Sequence, residues 1–261
     1  MFDGVRRVLL VGDSHANRRW WLNVVVPAAL EQNVDAIIQL GDFGWWPNER
    51  FFRNAVANSP VPVWFLDGNH EHFPDLKSEV AYARKKNAIS DATSPVPLLG
   101  RLGYLPRGAR FTVDGVTFAV AGGAHSIDRG VRRLGESYFL DERLTDDDVA
   151  AITTGGHADV LLCHDAPSGW IIPGLAPVEK LPLAWRGEQV ECEDHRELLR
   201  RAYEALTPTQ VVHGHYHRTY SKAVDEAWGT VFVDGLNCDG AYGSLAVFEV
   251  VDGTISVERI S

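Results

Sequence analysis

Residues 7–15 read RVLLVGDSH, an apolar run that ends in a carboxylate and an imidazole two residues apart. A similar order recurs in residues 36–42, AIIQLGD, and in residues 61–71, VPVWFLDGNHE. This alternation of short apolar runs with longer helical patterns predicts β-α repetition and an α/β fold. The segments of helical character that follow the three runs span residues 17–32, 48–57 and 75–86.

Hairpin signals appear in the second half of the chain. Asp114-Gly115 joins the apolar runs 111–113 and 116–120, and Asp252-Gly253 lies near the end. Asp-Gly between such runs is typical of a two-residue β-turn. We therefore expect the second half to contain more antiparallel sheet.

Two further helices and one loop are predicted from local signals. Thr145 precedes three aspartates and an apolar run, which is typical of a helix N-terminus. Residues 195–205 also have helical character, whereas the proline-rich residues 167–182 predict a long exposed loop. Because nothing marks a boundary, we expect a single domain over residues 1–261.

Composition narrows the class of protein. With 261 residues, 45% of them hydrophobic, the chain can bury a full core. Its net charge of -10 disfavours a stable complex with nucleic acid, which requires many basic side chains. Three cysteines without C-x-x-C spacing argue against disulfides or structural zinc. The apolar run behind Arg6 and Arg7 is too short for a signal peptide or a membrane span, so we expect a cytoplasmic protein.

Histidines close two later apolar runs. His164 and Asp165 follow residues 160–163, and residues 211–217 read VVHGHYH. A lone buried histidine is more often a packed core residue than a ligand. Because these histidines follow strands, as Asp13, Asp42 and Asn69 do, the pattern favours a shared metal site at the strand ends.

These motifs, between residues 13 and 217, resemble in content and order the signature of calcineurin-like metallophosphoesterases. The resemblance implies a four-layer α/β/β/α sandwich of two mixed sheets, with a dinuclear metal site at the sheet edges. It also implies that Asp42 bridges the ions and takes part in catalysis. The other implied ligands are Asp13, His15 and His217 for one ion and Asn69, His164 and His215 for the other.

The donor types match that implied chemistry. Carboxylate, amide and imidazole ligands suit two ions of Mn²⁺ or Fe, with Zn²⁺ as an alternative. Two such ions lower the pKa of a bridging water and orient a phosphoryl group for displacement. Two ligand carboxylates leave the ions with excess positive charge, which attracts an anionic ester to an acidic chain.

Three side chains near the ligands have other expected roles. By resemblance, His70 protonates the leaving oxygen or stabilises the phosphoryl charge. The alternative for His70 is a capping or packing histidine after Asn69. Asp165 and His213 are expected to orient the metal-binding imidazoles.

The segment after Asp42 departs from protein Ser/Thr phosphatases. Those enzymes continue the Gly-Asp motif with a second acid and an arginine, whereas this chain has Trp45 and Trp46 in that region. Either tryptophan could line the substrate cleft and stack on a ring, and the alternative is core packing. The missing arginine weakens a phosphomonoester interpretation.

A glycine-rich basic segment begins at Gly122. It resembles a stretch in small bacterial and bacteriophage-encoded metallophosphoesterases, which also share the His-Asp-Ala-Pro sequence at residues 164–167. The segment is predicted either to contact phosphate or to form a solvated charged loop. Its candidate substrate-binding residues are His125, Arg129, Arg132 and Arg133.

The leading functional prediction is a dinuclear metal-dependent phosphodiesterase. It would hydrolyse small nucleotide-like diesters, with cyclic nucleotides among the candidates, by attack of a metal-bridging hydroxide. The enzymatic alternatives are a phosphomonoesterase or protein phosphatase and a nuclease with the same site. The non-enzymatic alternative is a protein-interaction module on the same fold. The sequence specifies neither the ester nor the oligomeric state.

Overall fold

A computed structural model of the chain describes residues 2–251 and 254–260, so the predicted Asp252-Gly253 turn lies outside the described residues. In chain order the strands are β1 (Arg7–Val11), β2 (Ala36–Leu40), β3 (Val63–Leu66), β4 (Val96–Leu99), β5 (Leu102–Tyr104), β6 (Arg110–Val113), β7 (Val116–Ala121), β8 (Val160–Cys163), β9 (Gln210–His213), β10 (Tyr220–Glu226), β11 (Gly229–Gly235), β12 (Leu245–Val251) and β13 (Thr254–Ile260). The α-helices are α1 (Arg18–Trp20), α2 (Val26–Glu31), α3 (Arg50–Ala57), α4 (Phe73–Lys86), α5 (Asp146–Thr153), α6 (Leu183–Arg186) and α7 (Glu188–Leu206).

The strands form two mixed sheets. One has seven strands in the order β13-β12-β1-β2-β3-β5-β4, and the other has six in the order β10-β11-β9-β8-β7-β6. The predicted hairpin at Asp114-Gly115 pairs β6 with β7. As predicted, the second half contains more antiparallel pairing than the first, in β6-β7, β10-β11 and β12-β13. It also contains parallel pairs that the hairpin signals did not indicate, because β8 pairs in parallel with β7 and β9, and β11 in parallel with β9. Helices α5 and α7 provide the crossovers that parallel pairing requires.

The layers follow from alternation of side chains along each strand. In β1, Val8 and Leu10 belong to the core between the two sheets, whereas Leu9 and Val11 belong to the core shared with the first four helices. A third core lies between the second sheet and helices α5 and α7. These three cores separate four layers, which confirms the predicted α/β/β/α sandwich of two mixed sheets.

The predicted first helix is interrupted by one π-helical turn, Trp21–Val25, between α1 and α2. The backbone N–H of Val26 bonds to the carbonyl of Trp21, five residues back. Pro27 explains the change, because it has no N–H to donate and its ring crowds the carbonyl four residues earlier. The wider turn relieves that conflict while the helix axis continues.

Other local predictions agree with the structure in part. The Thr145 hydroxyl accepts the N–H of Asp148, and the Asp148 carboxylate accepts the N–H of Thr145, as a helix-capping box requires. Helix α7 begins at Glu188, seven residues earlier than the predicted start at His195. Residues 167–182 contain no α-helix or strand and only one 3₁₀ turn, Val178–Lys180, yet Trp170 and Ile172 within them are buried. Among the described residues, no helix is both long and apolar enough to cross a bilayer.

Candidate metal centre

The predicted ligands gather where the carboxyl ends of both sheets meet. Asp13, Asp42 and Asn69 follow the adjacent strands β1, β2 and β3 of the first sheet. His164 follows β8 and the His215-Tyr216-His217 segment follows β9, its neighbour in the second sheet. The first sheet therefore supplies the carboxylates, the amide and one imidazole, and the second sheet supplies the remaining imidazoles.

One group of donors consists of Asp13, His15 and His217, each with a donor atom within 4.8 Å of the other two. Oδ2 of Asp13 lies 3.1 Å from Nε2 of His217. That oxygen is buried and has no hydrogen-bond partner in the described part of the chain. A buried carboxylate oxygen without a partner is costly, so the group fits a bound cation.

A second group of donors consists of Asp13, Asp42 and His164 at the same spacing. Oδ1 of Asp42 lies 3.3 Å from Nε2 of His164, and its Oδ2 lies 3.5 Å from Nε2 of His15. Asp42 therefore faces both groups. Burial acts to raise the pKa of Asp42, but His164 and His70 outweigh it and hold that pKa well below its usual range.

Asn69 and His215 complete the predicted set beside the second group. Oδ1 of Asn69 is 3.1 Å from Nε2 of His164, and the ring of His215 meets that of His164 at 5.0 Å between centroids. The N–H of His215 donates to Asp13 Oδ1 over 3.0 Å. The seven residues thus fit two neighbouring cations of the type that accept carboxylate, amide and imidazole together.

Backbone geometry at the site is unusual. His15, Asp42, His215 and His217 all have positive φ, between 42° and 68°. Left-handed conformations are uncommon for residues other than glycine, although Asp and His adopt them more readily than most, and they cluster at functional sites. Glycine is required at position 68 beside the turn at Asp42, because a Cβ there would lie 2.2 Å from Oδ1 of Asp42. The chain is therefore held in strained turns that direct donor atoms inward.

His15 has a carboxylate partner that the sequence motifs did not reveal. Its Nδ1 lies 3.3 Å from Oδ1 of Asp239, and the amide of Asn17 donates to Oδ2 of Asp239 over 2.5 Å. The N–H of Asp239 in turn donates to the carbonyl of Asp13. An acceptor at Nδ1 leaves Nε2 available as a ligand and fixes the ring.

We expect Asp239→Ala to weaken Mn²⁺ binding about 10- to 100-fold, which is the usual effect of removing a carboxylate that orients a ligand imidazole. Calorimetric titration of chelator-treated protein measures this change. Asp225→Ala, which removes an exposed carboxylate from β10, is the control. Equal affinities in the two variants would contradict the orienting role of Asp239.

A buried polar network supports Asn69. Its Nδ2 donates to the hydroxyl of Ser126, which lies 2.5 Å from Oε2 of Glu142. The carboxylate of Glu142 pairs with the guanidinium of Arg132 through both oxygens, at 3.2 and 3.3 Å. This orientation of the amide turns Oδ1 of Asn69 toward the metal donors. Ser126 lies in the glycine-rich segment that begins at Gly122 and Glu142 in a 3₁₀ turn at Leu140–Glu142, and neither was predicted to support Asn69.

Glu71 holds the segment that follows Asp42. Its buried carboxylate accepts the backbone N–H groups of Phe43, Gly44 and Trp45 at 2.7–3.0 Å. Burial raises the pKa of Glu71 to about 7, with the Asp42 charge adding to the effect and the N–H groups opposing it. Glu71 is therefore a structural support of the Asp42 turn.

Neither Trp45 nor Trp46, either of which could line a substrate cleft, is among the described residues that line the cavity containing Asp42 and His70. Trp45 is 3% exposed and stacks on Phe65 in the core, with its indole N–H donating to Asp75. The indole N–H of Trp46 donates to the carbonyl of His70 over 2.8 Å. The first matches the core-packing alternative, and the second positions the His70 backbone.

Asp165 and His213, which were predicted to orient the metal-binding imidazoles, lie close to the site. Among the described residues, neither makes a hydrogen bond to an imidazole of the predicted ligands. Asp165 accepts the hydroxyl of Tyr216, whose ring packs 4.9 Å from that of His215. His213 is buried, with Nε2 2.5 Å from the hydroxyl of Tyr220. Asp165 lies just after β8 and His213 ends β9, so both side chains support the strand ends that carry the donors.

The basic segment divides into inward and outward residues. Arg132 is buried between Glu142 and Asp128, beside the carbonyl of Asn69. His125 and Arg129 instead pair with Glu188. The exposed Arg133 pairs only with Glu136 among the described residues. The four candidate substrate contacts therefore do not form one surface, and Arg132 alone lies next to the donors.

Taken together, two sheets that direct carboxylate, amide and imidazole donors to one edge form a candidate metal-binding site. The sequence model described as Calcineurin-like phosphoesterase matches residues 6–219, and the chain belongs to that family. The family typically uses two divalent metal ions, which agrees with the two donor groups.

Other comparisons add little. A solved structure described as a novel phosphatase from Mycoplasma pneumoniae is 11% identical, covers 98% of this chain and 95% of its own, and has a TM-score of 0.46. Similarity at that level carries no argument about function. No curated protein matches the chain.

Proposed function

We propose that the protein hydrolyses small nucleotide-like phosphate diesters at a dinuclear centre built from the seven predicted ligands. The observation that carries the proposal is the convergence of two donor groups that share Asp13. When bound, the ions supply positive charge that lowers the pKa of water and stabilises the phosphoryl transition state. Mn²⁺ and Fe are the proposed ions, with Zn²⁺ as an alternative.

His70 is the proposed catalytic side chain. The His70 side chain lines the same cavity as Asp42, Asn69 and His215, and the backbone N–H of His70 donates to Oδ1 of Asp42 over 2.8 Å. Burial lowers the pKa of His70, Asp42 opposes this shift, and Arg132 adds to it. The imidazole is thus placed to hydrogen-bond the ester or its leaving oxygen.

The preference for a diester rests on the arginines near the cavity. A dianionic monoester is usually held by a guanidinium free to make a bidentate contact. Arg132 already pairs with Glu142 and Asp128. Arg196 is the one arginine among the described residues that line the cavity, and it donates to backbone carbonyls and to Glu193. Neither is free for a second phosphate charge.

We expect protein reconstituted with Mn²⁺ to hydrolyse bis(4-nitrophenyl) phosphate with a kcat/KM at least about tenfold above that for 4-nitrophenyl phosphate. One unmet monoester charge in a partly buried site costs on the order of the 1.4 kcal/mol that tenfold represents. Release of 4-nitrophenolate measures both rates, and Fe²⁺ and Zn²⁺ serve as parallel metals.

Equal rates for the two esters would remove the diester preference but retain the hydrolase. Faster cleavage of single-stranded oligonucleotides than of either ester would favour the nuclease alternative. No hydrolysis with any of the three metals would support the protein-interaction module instead.

A further inference from the structure

A cavity of about 440 Å³ extends from the predicted ligands to the segment between β8 and α7. Its inner end is formed by donors of the metal centre. Its outer part, which we name the outer chamber, is bounded mainly by apolar side chains. These are Ile127, Leu175, Ala176, Leu181, Trp185 and Cys192.

Trp185 is presented to this chamber by the single-turn helix α6. The turn follows Pro182, whose carbonyl accepts the N–H of Trp185 over 2.9 Å. The guanidinium of Arg186 donates to the carbonyls of Leu181 and Glu179, which ties the turn to the preceding segment. Trp185 is half-buried at the cavity, whereas Leu183 on the same turn is 81% exposed.

The chamber offers no free cation among the described residues that line it. Arg196 donates to the carbonyls of Ala166, Pro167 and Trp170, at 2.8–2.9 Å, and to Glu193. All its nitrogens are therefore engaged in holding the chain. A second phosphate entering the chamber would lose hydration without gaining a charged partner.

The polar groups at the rim of the chamber are mainly acceptors. Asp128 and Glu193 are partly exposed carboxylates that line the cavity, and Gln189 lies near them on α7. Such groups accept hydrogen bonds from amino or hydroxyl donors of a ligand. An indole beside carboxylate and amide acceptors suits a planar ring that carries donors and no negative charge.

We propose that the outer chamber binds the uncharged, ring-bearing alcohol part of the substrate, stacked on Trp185. The reactive phosphate at the metal centre is then the only phosphate on the ester. A nucleoside joined to one diester phosphate has this chemistry, whereas nucleoside polyphosphates and longer oligonucleotides do not. This inference rests on the proposed phosphodiesterase function and specifies its substrate class.

Two ligands matched in charge test the stacking. Adenosine 5′-(methyl phosphate) and dimethyl phosphate each carry one negative charge, and only the first has a ring. In calorimetric titrations of Mn²⁺-loaded protein that carries His70→Ala to suppress turnover, we expect Trp185→Ala to weaken binding of the adenosine ester about 10- to 100-fold, the usual loss when a stacked aromatic is removed. Binding of dimethyl phosphate should change less than about twofold, because its contacts lie at the metal end.

The controls separate stacking from folding. Leu183→Ala removes an exposed side chain from the same turn and should leave both affinities unchanged. Trp185→Phe retains a ring and should recover most of the lost affinity. Retained dimethyl phosphate binding shows that a variant is folded and loaded.

Three outcomes would overturn the proposal. The first is equal weakening of both ligands in Trp185→Ala, and the second is no weakening of either. The third is tighter binding when a 3′-phosphate is added to the adenosine ester, because the chamber would then contain a cationic partner. Hydrolysis of bis(4-nitrophenyl) phosphate is measured separately, so failure of the phosphodiesterase proposal is distinguishable from failure of the chamber proposal.

Discussion

Asp42→Asn is expected to reduce kcat/KM for bis(4-nitrophenyl) phosphate by at least about a thousandfold. The variant keeps the shape of the side chain but removes the charge that faces both donor groups, 3.3 Å from His164 and 3.5 Å from His15. Stabilisation of the transition state by bound ions is worth several kcal/mol, and each 1.36 kcal/mol is a tenfold change in rate.

Metal analysis of the same variant provides a second measurement. Asp42→Asn should retain fewer than two ions per chain after dialysis, because an amide is a weaker ligand than a carboxylate. Asp114→Asn, in the exposed hairpin turn between β6 and β7, is a matched control with the same chemical change. Full activity in Asp42→Asn would exclude the proposed site.

His70→Ala is expected to lower kcat about 10²- to 10⁴-fold, the usual contribution of a positioned acid, base or hydrogen-bond donor. Metal content should remain that of the wild type, since His70 belongs to neither donor group. Its backbone is held by Trp46 and Asp42, so truncation of the ring leaves the turn in place.

The combination of lost turnover and retained metal is the informative result for His70. His157→Ala removes a mostly exposed imidazole that is not among the predicted site residues, and it should change neither kcat nor metal content. Loss of metal together with activity would make His70 a ligand. Unchanged kcat would leave it as a capping or packing residue.

The predictable parts of the molecule are those that depend on short-range sequence patterns. Apolar runs followed by Gly-Asp or Gly-Asn identify β1, β2 and β3 and the turns after them, because buried strands and tight turns each have a short-range signature. The alternation of Val8 and Leu10 with Leu9 and Val11 then determines which core each face joins. The family resemblance supplied the order of the ligands.

The parts that were not predictable depend on contacts between distant residues. Asp239 meets His15 across 224 positions of sequence, and Ser126 meets Asn69 across 57. Parallel pairing in the second sheet depends on crossovers, which the hairpin signals concealed. Trp45 and Trp46 lie shortly after the proposed ligand Asp42, yet the turn held by Glu71 directs Trp45 into the core. Trp185 lies on the single-turn helix α6, which is too short to give a periodic sequence signal.

Each sheet contributes only part of the donor set, and this division couples metal binding to the folding stability of the protein. Ions that bind only when both sheets are packed add their binding free energy to folding, about 2.7 kcal/mol for each site at a free concentration of 100 Kd. Metal supply would then set the amount of folded protein as well as its catalytic rate. A shortage of metal would reduce activity twice, once through empty sites and once through faster turnover of the unfolded chain.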